Sequence, residues 1–289
     1  MIEFFRAMEV NSLLKSGLVA GVLAGVACGV VGPYVITRRI VFLSGAIAHM
    51  AVGGIGAAVF LCAILPQPIG PLHPAHRTMV FAGATLAALA GAVVIGYVHQ
   101  RAAERMDTLI GALWAIGMAL GILLVKFTPG YQTELMSYLF GNIALISWGD
   151  VRLMLVLDAI ILAAVLVFHK RLLAICLDQE QAELQGISVL WTNIVLLCLV
   201  ALTVICLTQV VGLILVIALL SLPAATAAHH VTRMTSLCVV STLLCVALTT
   251  LPRIAVYGTR IDPQSAIVLA AAGVYLLSVL ARRFLGRFR

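Results

Sequence analysis

Long apolar stretches separated by short polar turns repeat along the whole chain. Each stretch holds about 20 residues, and a helix of that length crosses a hydrocarbon core of about 30 Å. The pattern predicts transmembrane helices at residues 17–36, 40–65, 79–98, 107–127, 151–168, 189–228, 236–251 and 264–280. The run at 189–228 is about twice as long as one span needs, so we expect two spans that fold back near Gln209. The predicted fold class is all-α, a polytopic transmembrane helical bundle of about eight or nine spans.

Two segments between these spans have a different pattern. Residues 129–150 are only weakly hydrophobic, which favours a short re-entrant or interfacial helix pair over a full span. Residues 170–188 form the longest polar insertion, in which Asp178, Glu180 and Glu183 alternate with leucines. That alternation predicts a short amphipathic helix at the membrane surface.

Composition supports the assignment to a membrane. Hydrophobic residues make up 63% of the 289 residues and charged residues only 10%. A soluble globule could not cover that much apolar area. Because no long polar segment separates the spans, we expect a single transmembrane domain over residues 1–289.

The formal net charge of +7 comes from basic residues that lie mainly at the ends of apolar runs. There they are expected to meet lipid head groups, so binding to nucleic acid is not expected. With the basic C-terminal tail in the cytoplasm, the alternation of spans also places Arg38, Arg101, Lys170 and Arg233 on the cytoplasmic side. The opposite face keeps several basic residues, so the bias is moderate.

The seven cysteines show no CxxC spacing, and all but Cys176 fall within apolar runs. Small apolar core residues explain that distribution better than a disulfide or a metal set. A permanently bound cofactor is therefore not expected.

The strongest functional candidate is His49, which lies about halfway along the uncharged stretch 40–56. An ionisable residue at membrane depth is costly and typically faces a bundle interior or a wet cavity. Gly53, Gly54 and Gly56 follow at high density, which suggests an irregular, wet backbone segment near the histidine. The alternative is a structural hydrogen bond for His49.

Two acidic residues are weaker candidates for metal ligands. Asp158 lies within a predicted span, where burying it without a partner costs about 3 kcal/mol. A ligand role and a structural hydrogen bond explain it equally well. Asp107, at the start of the fourth span, is either a ligand or a helix N-cap.

Histidines outside the spans have simpler explanations. His73 and His76 are candidates to relay a metal from a docking protein, although loop histidines are more often solvated. His229 and His230 follow the seventh span, where anchoring at the interface is favoured over release of a metal.

Four segments, at 38–56, 137–151, 177–188 and 210–227, carry a resemblance to a known family. The chain resembles the permease subunits of bacterial ABC transporters that import zinc, manganese or iron, and the likeness covers nearly its whole length. The resemblance implies a homodimeric pore, cytoplasmic ATPase subunits and an extracytoplasmic metal-binding protein. The sequence contains no GxxxxGK[ST] motif, so ATP is expected on a partner chain, and the protein is expected to be no enzyme.

The resemblance also identifies the insertion at 170–188 as a coupling helix that docks on the ATPase. The residues expected at that contact are Leu177, Asp178, Glu180, Glu183 and Gly186. An acidic, leucine-rich helix suits a groove on a partner, and the alternative is a solvated surface helix.

One position departs from the family pattern. Family members tend to carry an Asp four residues before the histidine of the second span, one turn away on the same helix face. Here that residue is Gly45, so any metal site around His49 must be completed by other spans, water or a second chain. The resemblance also matches Asp107 to an acidic position of the family.

These observations predict an inner-membrane permease that gives a divalent metal a path inward. Zinc is preferred over manganese because the second span offers a histidine without a carboxylate. The alternatives are a proton-coupled secondary transporter using His49 and Asp158, and an ABC permease for vitamin B12 or siderophores. A membrane-embedded metal enzyme is disfavoured because no HExxH motif is present.

Overall fold

A computed structural model of the protein describes residues 11–65, 74–101, 106–128, 146–259 and 261–285. Helices make up almost all of these residues. In chain order they are α1 (Ser12–Thr37), α2 (Val41–Ile64), α3 (Pro74–Arg101), α4 (Met106–Lys126), α5 (Trp148–Leu177), α6 (Gln179–Leu184), α7 (Val189–Val211), α8 (Leu213–Ala228), α9 (Met234–Ala255) and α10 (Pro263–Leu285).

Eight of the described helices are long and apolar enough to cross a membrane: α1, α2, α3, α4, α5, α7, α9 and α10. The all-α transmembrane bundle expected from the sequence is therefore confirmed. The run at 189–228 divides into two helices as predicted, but the break falls at Gly212 rather than near Gln209. Gly212 has φ of 73°, a left-handed conformation that glycine adopts without steric cost. The second half, α8, is only 16 residues long.

The bundle has two groups of closely packed helices. α1 packs against α9, α8, α5 and α7, whereas α2 packs mainly against α3 and α4. The groups meet where α3 contacts α7 and where α2 contacts α8. α10 completes the bundle beside α8 and α9.

Glycines spaced four residues apart bring α1 and α9 together. Gly21, Gly25 and Gly29 lie against Thr249, Val246 and Thr242, in that order. At Gly25, an added Cβ would come within 2.9 Å of the backbone of Val246. The hydroxyl of Thr249 also donates a 2.9 Å hydrogen bond to the carbonyl of Gly21. Small residues let helix backbones approach closely in membranes, and this repeat gives α1 a smooth face for α9.

The polar insertion begins as a continuation of α5. Instead of a separate helix from residue 170, α5 continues for about two further turns to Leu177, and only Gln179–Leu184 forms the short helix α6. Leu172 and Ile175 are buried within this extension. Nδ1 of His169 also lies 2.7 Å from the hydroxyl of Tyr34 on α1. These contacts hold the end of α5 against the bundle despite its polar residues.

Several sequence predictions fall outside the described residues. They are His73, residues 129–145 of the helix pair expected at 129–150, and the last four residues of the basic tail.

Candidate functional site

His49 lies on α2 and stacks on an aromatic ring from α4. The ring centroids of His49 and Trp114 are 4.5 Å apart, and the planes are inclined by 26°. Such a pair contributes about 0.5–1.5 kcal/mol beyond the area that it buries. The stack holds the imidazole about 12 Å from the start of α2, well inside this membrane-spanning helix.

Nδ1 of His49 is buried and has no hydrogen-bond partner among the described residues. A buried polar atom without a partner costs about 1–3 kcal/mol, so native structures rarely leave one. The imidazole therefore keeps a nitrogen that a ligand or a water molecule can use.

Gly45, one turn before His49, makes room for the indole. A Cβ at residue 45 would lie 2.6 Å from Cζ3 and 2.9 Å from Cη2 of Trp114. It would also lie 3.0 Å from Cδ1 of Ile217 on α8. Trp114 thus fills the space into which a side chain at position 45 would project. The tryptophan therefore occupies the space that an acidic side chain at position 45 would need.

The glycines that follow His49 do not break α2. The helix is continuous from Val41 to Ile64, so the irregular backbone segment expected from the sequence is absent from these residues. Gly53 and Gly56 instead face the backbone of Gly117 and Gly121 on α4. Close approach through small residues is the usual reason for such glycines in membrane helices. It also sets the depth at which Trp114 meets His49.

Asp158 lies in a different helix interface. Its side chain is only 4% exposed, and the thiol of Cys206 on α7 donates to its Oδ1 at 3.6 Å. Oδ2 is buried and has no partner among the described residues. Because α5 packs against α1 and α7, whereas α2 packs mainly against α3 and α4, Asp158 and His49 are not brought together.

The remaining candidate ligands are only partly described. The backbone of Asp107 lies in the first turn of α4, but its side chain is outside the described residues. His76 is buried in the first turn of α3. Within the described parts of the chain, no three His, Cys, Asp or Glu residues lie close enough to hold a metal ion together.

The predicted coupling segment is largely exposed. Oδ1 of Asp178 caps α6 by accepting hydrogen bonds from the backbone N–H groups of Glu180 at 2.9 Å and Gln181 at 3.3 Å. Leu177 is 76% and Leu184 89% exposed, so two large apolar side chains flank α6 on the surface.

Two further features hold the segment in shape. Gly186 turns the chain toward α7 with a φ of 78°. Ala182 is buried and attaches α6 to the bundle.

Trp114 is the residue of this site that sequence reasoning missed. It lies 65 positions after His49, and nothing in the hydrophobic pattern shows which residue of α4 faces α2. The spacing of Gly117 and Gly121 was the available signal, because a four-residue glycine repeat marks the helix face that packs closely.

Comparison with known proteins identifies the family. Residues 10–282 match the ABC 3 transport family. The chain is 34% identical over 271 residues to a protein of Chlamydia trachomatis named "Probable metal transport system membrane protein", with 94% of this chain and 89% of the relative covered. It is 29% identical to the "Manganese transport system membrane protein MntC" of Listeria monocytogenes, covering 78% of this chain and 74% of the relative.

A solved structure confirms the fold. The structure described as "PsaBC from Streptococcus pneumoniae in complex with Fab" superposes with a TM-score of 0.82 at 28% identity, covering 96% of this chain and 95% of that one. The family match spans nearly the whole chain, as the resemblance suggested. The chain therefore belongs to the ABC 3 transport family.

Proposed function

We propose that this protein is the permease subunit of an ATP-driven importer that gives a divalent transition-metal ion a path across the bacterial inner membrane. The observation that carries the proposal is the buried Nδ1 of His49, which stacks on Trp114 of α4 and has no hydrogen-bond partner in the part of the chain that the structure describes. Intramembrane ionisable groups mark substrate pathways more often than they stabilise a fold. The names of the relatives, which include metal and manganese transport, support the same cargo.

The candidate ligands lie on three helices. By helix rise, Asp158 is about 15 Å from the outer start of α5 and His49 is about 12 Å from the inner start of α2, whereas Asp107 lies in the first turn of α4. We propose that each of these groups can bind the ion, with water or a second copy of the chain completing each site. Few ligands at each site suit transport, because an ion held by four ligands would not leave.

Manganese is the first candidate cargo because several relatives bear it in their names. Zinc is the second, and Gly45 is the observation that favours it. With Trp114 in place of an acidic side chain beside His49, the site offers imidazole without a carboxylate. Imidazole suits zinc, whereas manganese prefers oxygen ligands.

The exposed segment around α6 is the candidate contact with a partner protein. We propose that the segment from Leu177 to Gly186 docks on an ATPase subunit, with Asp178, Glu180 and Glu183 facing basic residues and the exposed Leu177 and Leu184 entering an apolar groove. In a homodimer, each chain would contribute one transmembrane domain and would bind one ATPase subunit. An extracytoplasmic metal-binding protein would deliver the ion from the other side.

The experiment is uptake of Mn²⁺ and Zn²⁺ by proteoliposomes that contain the chain, its ATPase and its binding protein. We expect ATP-dependent uptake that His49→Gln abolishes. His169→Gln is the matched control, because it removes an imidazole that pairs with Tyr34 at the end of α5. Uptake without any ATPase would overturn the proposal in favour of a secondary transporter, and uptake unchanged by His49→Gln would remove His49 from the path.

A further inference from the structure

Two histidines converge on one hydroxyl at the inner ends of α8 and α10. His229 follows the last residue of α8, and its Nδ1 lies 2.8 Å from Oγ of Ser278 on α10. Nε2 of His230 lies 3.2 Å from the same oxygen. Two imidazole nitrogens from consecutive residues thus point at one position between two helices.

The hydroxyl cannot satisfy both nitrogens in the same way. It carries one proton, so it donates to one imidazole and must accept an N–H from the other. A divalent cation at this position would instead take a lone pair from each ring. Reaching the usual metal–nitrogen distance of about 2.1 Å requires each ring to move by about 1 Å, with Ser278 turning aside or becoming a third ligand.

The surroundings leave the imidazoles available. His230 is exposed and His229 is partly buried, whereas Ser278 is buried, so the position lies where the helix interface meets the surface. The ring of His229 stacks on Tyr275 with centroids 5.7 Å apart, which limits its rotation. The pKa of His229 is below its ordinary value because of burial first, and then because of the charges of Arg282 and His230.

The nearby charge limits the affinity. Arg282, in the last turn of α10, repels a metal cation as it repels a proton. A site with two imidazoles, one hydroxyl and an adjacent guanidinium is suited to brief occupancy. The ends of α8 and α10 also lie with Arg233 and Arg283 on the side that the charge distribution assigns to the cytoplasm.

We infer that Nδ1 of His229 and Nε2 of His230 form a low-affinity site for a divalent transition-metal ion at the cytoplasmic mouth of the protein. Water or Ser278 fills the remaining positions. The role of this site in releasing the ion rests on the proposed function, whereas the binding itself does not.

Binding is measured on the purified full-length chain in lipid nanodiscs, in a His49→Gln background that removes the site in α2. Mn²⁺ is the probe, with free Mn²⁺ counted by electron paramagnetic resonance and bound nitrogen counted by pulsed methods. We expect one bound ion that shows two coupled imidazole nitrogens, whereas an ion at the carboxylates of Asp107 or Asp158 would show none. Substituting a residue that only hydrogen-bonds to a metal ligand lowers metal affinity by about 10- to 100-fold. The double variant His229→Gln/His230→Gln removes both ligands themselves, so it should weaken Mn²⁺ binding by about 100-fold or more.

Three variants make the result decisive. His169→Gln removes a histidine at the same side of the membrane and should leave binding unchanged. Ser278→Ala should keep two coupled nitrogens, because both come from the histidines and water can take the place of the hydroxyl. His230→Gln alone, at an exposed position that does not endanger folding, should reduce the coupled nitrogens from two to one. Unchanged binding in the double variant, or two coupled nitrogens in His230→Gln, would overturn the inference.

The two proposals fail separately. Loss of uptake in proteoliposomes tests the path through His49, whereas Mn²⁺ binding to the isolated chain tests the histidine pair without any transport.

Discussion

The guanidinium of Arg38 donates a 3.1 Å hydrogen bond to the side-chain oxygen of Asn193, which ties the turn between α1 and α2 to the first turns of α7. Its other terminal nitrogen donates to the carbonyl of Ile175 on α5 at 2.9 Å. The amide of Gln179, the first residue of α6, lies against the same guanidinium and accepts from it when its oxygen faces Arg38. One side chain therefore connects the proposed ATPase-docking segment to the start of the helix that carries His49.

Arg38→Gln is expected to uncouple ATP hydrolysis from uptake. Losing a hydrogen bond that involves a charged group costs about 1.5–3 kcal/mol, and Arg38 makes several of them. ATPase activity of the reconstituted complex should persist while metal uptake per ATP falls. Arg39→Gln is the matched control, because it removes the same charge from an exposed neighbour in the same turn. If both substitutions lowered metal uptake per ATP equally, the loss of positive charge would explain the effect, and the loss of the hydrogen bonds of Arg38 would not.

Gly45→Ala is expected to destabilise the protein by about 1–3 kcal/mol, because the new methyl group overpacks against Trp114. The measurement is the unfolding midpoint in detergent. Gly111→Ala on α4 is the control, since a Cβ there meets nothing within 4 Å and removes only backbone freedom. Adding Trp114→Leu should recover most of the loss at residue 45, and a failure of that recovery would place the clash elsewhere.

Trp114→Ala is expected to expose His49 to reagents. The stack contributes about 0.5–1.5 kcal/mol, so the rate of carbethoxylation of His49 should rise by about 2- to 10-fold. Peptide mass spectrometry reads the modification at each histidine. Trp191→Ala, at a position 66% exposed on α7, should leave the rate unchanged. An equal rate in all three proteins would mean that the indole does not shield the imidazole.

Asp158→Asn tests the second proposed ligand. The amide keeps the shape of the side chain but lacks the negative charge, so uptake should fall by about tenfold or more while the protein stays folded. Cys206→Ala removes the thiol that donates to Oδ1 and leaves the carboxyl group in place, so uptake should persist. Full uptake by Asp158→Asn would assign the carboxyl group a structural role in the α5–α7 interface.

Sequence reasoning predicted the features that depend on local composition. The long apolar stretches predicted the membrane-spanning helices, and the forty-residue run at 189–228 predicted a division into two helices. The same reasoning was wrong for Gly53, Gly54 and Gly56, because it predicted that they would interrupt the helix. A glycine weakens an isolated helix, but close packing against α3 and α4 keeps α2 continuous.

Relationships between distant helices could not be predicted in this way. The stack of Trp114 on His49 and the bond from Arg38 to Asn193 join residues whose spacing along the chain has no periodic signal. The extension of α5 beyond Lys170 depends on the buried Leu172 and Ile175, which sequence alone reads as one face of an amphipathic helix. The roles of His49, Asp107 and Asp158 as ligands stay predictions.

The glycine contact between α1 and α9 has a consequence for movement between helices. Because the two backbones pack against each other, sliding or tilting one helix along the other would open a void at the interface, which is costly. α2 and α4 pack in the same manner. We therefore expect any rearrangement within the chain at the boundary where α3 meets α7 and α2 meets α8. Residue 45 faces Ile217 at that boundary, so the boundary passes beside His49.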